Sequence, residues 1–455
     1  MGHGARGTGH GKRNAPTLFV AVLSVVLFLT AGCGKGLKPL SMVRVWYWMT
    51  DREEAFTELA KRYHRAHGVP VRFELYAPSD LYAQKVRAAA QTDGLPDIFG
   101  ILAEMRDFAS FIQAGHILNL TESMDRQTTP PWRDHFFPVA LALNTFRPGN
   151  VYGVEPGIYG VPIDVMNLQI FYNKRLLAKL GLDPNQPPQT WQEFLAVGKL
   201  ANAQKVIGFV SGWAELWLID SFAIDYAIHL MGQKKVESTF AGEMPYTDED
   251  WVKALTIFEQ LRDSGLLAQG IVTMGNKQAE QLFANGQAVF AFNGTWGVNV
   301  YRGMNPSLDY GVMMPPRIRE DRPMATIGGA GSSFMVNAAS PKREAAVAFL
   351  QWLTADDQQR FLLEATQNIP ANQHVAAELS GPLAQFADDM SAVVHQRLFR
   401  VQERSVVIEA FDKGIQAILI GEETPRQVVQ AVQHLKRHEE ARHASLHQEA
   451  VHATP

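Results

Sequence analysis

At 455 residues the chain exceeds what one compact core accommodates, so two lobes are expected. Hydrophobic residues at 46% and charged residues at 19% exclude a disordered or membrane-embedded chain. A formal charge of −4, with no clustered Lys and Arg, excludes a nucleic-acid footprint and weighs against a strongly anionic ligand.

The N-terminus carries Arg6, Lys12 and Arg13, then an apolar run from Thr17 to Thr30, then the small residues Ala31 and Gly32. A basic stretch, a short apolar core and a small-residue cleavage site make a secretory signal. The run is shorter than the ~20 residues that span hydrocarbon. Leu29-Thr30-Ala31-Gly32-Cys33 resembles the bacterial lipobox, although the commonest form has Leu where Thr30 stands. The resemblance implies a signal peptide over 1–33, lipidation of Cys33 and an extracytoplasmic protein held to the membrane by that lipid. A plain signal with an incidental cysteine is the alternative. Cys33 is the only cysteine, so no disulfide forms within the chain. Loss of the signal takes three of the 42 basic residues and leaves 39 against 46 acidic ones, a net −7.

Residues 34–41 read as a tether, and a strand–helix–strand pattern follows. Val43, Val45 and Tyr47 alternate with Arg44, Trp46 and Trp48, the period of a strand. Thr50-Asp51-Arg52-Glu53 matches a capping box, opening a helix with Ala55, Phe56, Leu59 and Tyr63 on one face and a stop at Gly68. A second strand spans Val71, Phe73 and Leu75, a helix runs over 80–91, and Leu95 to Ile101 reads as a third strand. Such units imply a mostly parallel sheet with ligands at the carboxyl ends of its strands. The remainder is richer in helix, with a capping box at Thr190–Glu193 and cap-plus-proline starts at Ser340-Pro341 and Thr424-Pro425. Val289–Phe292 and Ser333–Val336 read as further strands. The last 22 residues, 434–455, are polar and hold five histidines; His434/His438 and His443/His447 sit four apart, a zinc-compatible spacing, but a solvated terminal helix without metal is the expectation.

Five passages in this order resemble the extracellular solute-binding proteins of bacterial carbohydrate importers, the group that includes the maltose-binding type. They are Val45–Asp51, Gly94–Phe99, Tyr159–Asp164 running into Phe171–Lys174, Leu282–Ala288 leading to Asn293–Trp296, and Gly328–Phe334 followed by Ser340–Ala346 and Phe349–Leu353. The resemblance covers Val43 to about Gln433. It implies an α/β, two-lobed periplasmic-binding-protein-like fold with discontinuous lobes joined by a hinge. One lobe would hold 40–155 and 297–333, and the other 160–292 and 338–433. It implies a monomer that captures a sugar and delivers it to the permease subunits of an ABC importer, with no cofactor, no metal and no catalysis.

Sugars offer hydroxyl edges and weakly apolar C–H faces, so their sites combine aromatic platforms with fixed polar groups. Trp352, Trp191 and Trp251 fall on apolar helix faces or helix starts and read as packing residues. Trp48 ends the first strand, Trp213 and Trp217 lie at a break between strand and helix, and Trp296 follows the turn signal Asn293-Gly294. These four are the expected platforms. Asp51, Glu104, Asn167, Gly329 and Arg404 are the expected polar contacts, Gly329 through close approach of its backbone. Each has a plainer reading: core burial for a tryptophan, a helix-dipole partner for Asp51, a turn for Gly329, a solvated side chain for Arg404. Two rivals stand beside capture for transport. A secreted glycosidase needs two carboxylates about 5–10 Å apart, and Asp51, Glu104 and Asp164 are candidates. A ligand-sensing receptor lobe uses the same closure.

Overall fold

The computed structural model describes residues 42–452, apart from 78, 103–104, 127–129 and 395–402. The expected lipidation site Cys33 and the expected ligand contact Glu104 lie outside the described residues. The described residues hold together as one body.

Among the described residues twelve strands follow one another: β1 Val43–Tyr47, β2 Val71–Leu75, β3 Ile98–Phe99, β4 Thr145–Phe146, β5 Gly157–Ile158, β6 Val161–Asn173, β7 Ile207–Val210, β8 Ala288–Gly294, β9 Tyr310–Met313, β10 Thr326–Val336, β11 Ile369–Pro370 and β12 Val393–Val394. The main sheet runs β2-β1-β3-β10-β6-β8-β7, with β9 and β11 also paired to β6 and β12 to β10. The alternation in β1 works as read: Val43, Val45 and Tyr47 enter one apolar core, while Trp46 turns to another. β1 is parallel to β2 and β3, and β7 is parallel to β8. The two long strands between these groups, β6 and β10, are antiparallel to each other.

This is what divides the molecule. The first half of β6 pairs with β10 and β11, and its second half with β8 and β9. β6 therefore carries the chain from the β1–β3 lobe to the β7–β9 lobe, and β10 carries it back. A third connection passes β12, which pairs with Thr326 and Ile327 at the start of β10.

The crossings correct two expected stretches. The helix Gly297–Met304 packs on the second lobe, with Tyr301 4.9 Å from Phe283, and β9 pairs with Ile170–Asn173. The helix Arg343–Leu353 packs on the first lobe, where Phe349 lies 4.9 Å from Tyr63 and 5.9 Å from Phe73. Thus 297–313 and 343–353 each sit with the lobe opposite to the one expected, because β10 returns the chain between them.

Local signals divide similarly. Thr190 forms its capping box with Glu193, and Thr424 exchanges hydrogen bonds with Gln427 in the same manner. Thr50 does not cap; residues Thr50–Arg52 form a turn of 3-10 helix and Glu53–His67 begins after it. The tail boundary at 434 also moves. The last helix, Pro425–His452, runs through it without a break, and Lys436 is only 4% exposed. Lys436 Nζ lies 2.7 Å from Glu403 and donates to the carbonyls of Thr239 and Phe240. A buried ammonium is tolerable only when partnered this fully. No group of three or more His, Cys, Asp or Glu among the described residues is placed to hold a metal.

Candidate ligand-binding cleft

On the first-lobe side, the carboxyl end of β1 presents Trp48. Its ring packs 5.1 Å from Tyr82 at 43° and lies against Gly100, where a Cβ would collide with it. Trp48 lines a cavity of about 180 Å³ together with Asn144, Met166, Ala330, Ser332 and Ser333. The hydroxyls and amide give it polar edges, and Asn144 Nδ2 donates to Ser333 Oγ at 3.0 Å.

Asp51 stands beside this wall, exposed, with Asn368 Nδ2 donating to it at 2.9 Å. Arg52, next in sequence, turns inward instead. It ion-pairs with Asp164 on β6, donates to Ser332 Oγ on β10, and Ser332 donates on to Asp164. Burial works against the Arg52 charge, yet attraction to Asp164 and Asp51 holds its pKa above the ordinary arginine value. This inward pull explains why Thr50–Arg52 forms a tight turn rather than a capped helix start.

On the second-lobe side, Thr295 N donates to Asn167 O on β6, which sets Trp296 beside the crossing strand. Gly294 precedes it, and any side chain there would strike the Trp296 ring. Trp217 comes up from the start of the helix Leu216–Met231, 43% exposed, its ring centroid 5.8 Å from that of Trp296 at 48°. Trp296 Nε1 donates to Glu280 at 3.1 Å and Trp217 Nε1 to Glu215 at 3.3 Å. Glu280 is buried on the helix Asn276–Ala284, and that burial holds its pKa above the usual glutamate value.

The structure therefore leaves Asp51 and Trp217 exposed and Trp48 and Trp296 partly buried at the two strand-end walls, and sends three other expected contacts elsewhere. Trp213 is fully buried, with Phe209, Phe222 and Phe258 within 5.3 to 6.0 Å, so it is a core residue and not a platform. Asn167 is also fully buried; Nδ2 donates to Phe386 O and Met390 Sδ, which ties β6 to the helix Gly381–Asp388. Arg404 precedes the helix Ser405–Ile420 and lies 3.8 Å from Glu439 on the last helix, away from both walls. Gly329 sits in the β6–β10 ladder opposite Met166 with φ +134°, a conformation that only glycine adopts readily.

Residues 58–391 match the family described as bacterial extracellular solute-binding protein. The chain belongs to this family. Among curated relatives, the galactooligosaccharide-binding protein of Bacillus subtilis (strain 168) is 24% identical over 298 residues, 64% of this chain and 68% of the relative. The melibiose/raffinose/stachyose-binding protein MelE of the same organism is 21% identical over 380 residues, 79% of this chain and 82% of the relative. Among solved structures, RafE in complex with raffinose matches with a TM-score of 0.70 at 17% identity, covering 86% of this chain and 98% of the other. At that identity the likeness shows the fold, two α/β lobes joined by crossing strands. The relatives are binding proteins, and no described helix of this solute-binding protein is long and apolar enough to cross a membrane.

Several residues of the walls escape a reading of the sequence: Glu215, Asn276, Glu280, Asn144 and Ser332. One signal was available for Glu280. It shares the apolar face of its helix with Ala279, Phe283 and Ala284, all buried, and a carboxylate on such a face needs partners. Asn276, four residues earlier and one turn away, is one of them.

Proposed function

We propose that this extracellular solute-binding protein captures a neutral sugar between its lobes and delivers it to the permease of an ABC importer, tethered to the membrane by lipid on Cys33. The observation that carries the sugar reading is the partly exposed indole pair, Trp217 against Trp296, with both ring N–H groups fixed by carboxylates. Such rings match the C–H faces of a pyranose, while the hydroxyl edges need the polar groups of the facing wall, Asp51 among them. Arg52, next to Asp51, is already neutralised by Asp164, which favours a neutral guest over an anionic one at this wall. The names of the two sugar-binding relatives agree with this class of ligand, whereas other relatives are named for sn-glycerol 3-phosphate.

In this mechanism the sugar stacks on the second-lobe indoles, and closure about β6 and β10 lets Trp48 and Asp51 complete the enclosure. A micromolar affinity corresponds to about 8 kcal/mol, and only the share gained in the closed form shifts the lobes. The permease then reads the closed shape.

Calorimetry of the purified protein against raffinose, stachyose and galactooligosaccharides, with sn-glycerol 3-phosphate as the anionic control, tests the reading. Neutral glycans should bind and the phosphate should not. Binding of the phosphate alone, or hydrolysis of any glycan, overturns it. Cys33→Ser should move the protein from the membrane fraction to the soluble extracytoplasmic fraction.

A further inference from the structure

We propose that Glu280 is a positioning residue that sets the angle between the two indole platforms. The proposal rests on the reading of Trp217 and Trp296 as the sugar-stacking pair and adds the group that orients them. Glu280 Oε1 accepts three N–H groups: Trp296 Nε1 at 3.1 Å, Asn276 Nδ2 at 3.0 Å and Asn293 Nδ2 at 3.0 Å. Glu215 does the matching work for the other ring. One of its oxygens accepts Trp217 Nε1 at 3.3 Å and the other accepts the backbone N–H of Asn276 at 2.8 Å.

Asn276 thus joins the two carboxylates, by its side chain to Glu280 and by its backbone to Glu215. Each indole N–H ends on a carboxyl oxygen, and both acceptors are referenced to one residue at the start of one helix. A hydrogen bond to a carboxylate is roughly twice as strong as one between neutral groups, so it helps hold a ring that packing alone encloses only in part. Burying a carboxylate is unfavourable unless its lone pairs are used. A core role would be filled as well by an apolar side chain, as at the neighbouring Ala279, Phe283 and Ala284. The chain instead keeps an acid at this position, 8% exposed, with three donors converging on one oxygen.

The indole pair supplies its own reporter. Trp217–Trp296 is the only Trp–Trp ring contact among the described residues, and two indoles this close give an exciton couplet in far-ultraviolet circular dichroism whose shape depends on their mutual angle. Trp217→Ala assigns the couplet by abolishing it. Glu280→Ala should lose or reshape the couplet and weaken raffinose binding about tenfold or more, a hot-spot-sized effect. Glu280→Gln keeps an acceptor oxygen and should retain the couplet and an affinity within about threefold of the wild type. Where Glu280→Ala proves too unstable to purify, Glu280→Leu, apolar and of similar size, replaces it with the same expected outcome. An unchanged couplet in the Ala or Leu variant overturns the proposal, and so does a couplet lost equally in Glu280→Gln. The couplet needs no ligand, so it decides the proposal even if raffinose fails to bind the wild type, a result that counts against the sugar reading alone.

Discussion

β7 and β8 are parallel neighbours, and each runs within a few residues into a tryptophan preceded by glycine: Gly212-Trp213 after β7, and Gly294-Thr295-Trp296 after β8. In sequence the two ends look equivalent. In the fold they are opposites. The chain after β7 turns so that Trp213 drops beneath the helix Leu216–Met231 and meets Phe222 and Phe258, while Trp217, four residues on, emerges into solvent. The chain after β8 is held to β6 by Thr295, so Trp296 stays beside the crossing strand and meets Trp217. A strand end exposes an indole or buries it according to what packs next to the turn, and the glycine-tryptophan pairing does not decide which.

The largest expected effect separates these two residues by stability. Trp213→Ala removes a fully buried ring and should lower unfolding free energy by about 3–5 kcal/mol, read as a large drop in thermal midpoint. Trp213→Phe should be far milder, because Trp213 Nε1 has no hydrogen-bond partner among the described residues and the ring's polar atom contributes nothing that Phe lacks. A Trp213→Ala protein as stable as the wild type but unable to bind sugar would reverse the roles assigned here.

The second prediction inverts the readout. Trp296→Ala should leave the thermal midpoint closer to that of the wild type than Trp213→Ala does, since the ring is only partly buried. Its sugar affinity should fall by about tenfold to a hundredfold, roughly 1.4–2.8 kcal/mol. Isothermal titration measures this directly, and equal affinities for the Trp296→Ala and wild-type proteins would remove the platform.

The same contrast shows what a sequence discloses. β1, β2 and the helix Glu53–His67 were legible because period-2 and period-3.6 patterns are local, and the capping box at Thr190 was legible because all its atoms lie within four residues. The box at Thr50 failed because Arg52 answers to Asp164, more than a hundred residues away. Lobe membership of 297–313 and 343–353 was illegible for the same reason: Tyr63 against Phe349 is a contact between distant segments that no local pattern encodes. Asn167 read as a ligand contact from its place in the family pattern, but its amide is consumed by Phe386 and Met390. Glu280 belongs to no local motif, and only its place on the buried face of its helix marks it out.

The smallest expected effect is in the pH dependence of the β8 end. Burial, opposed by hydrogen bonds from Asn293 and Trp296, holds the Glu280 pKa above the ordinary value of 4.5. An acid with a raised folded-state pKa binds more protons folded than unfolded between those two values, so it adds stability as pH falls through that window and withdraws it as pH rises. Above that window Glu280 is therefore a destabilising group retained for the rings it orients. Glu280→Gln should melt above the wild type at neutral pH, and the gap should close as pH falls toward 4.5. Trp213→Phe, which alters no ionisable group at the β7 end, should track the wild type in parallel across the same range. A Glu280→Gln gap that stays constant with pH would mean that Glu280 titrates alike in the folded and unfolded chains, and the asymmetry between the two strand ends would then lie in packing alone.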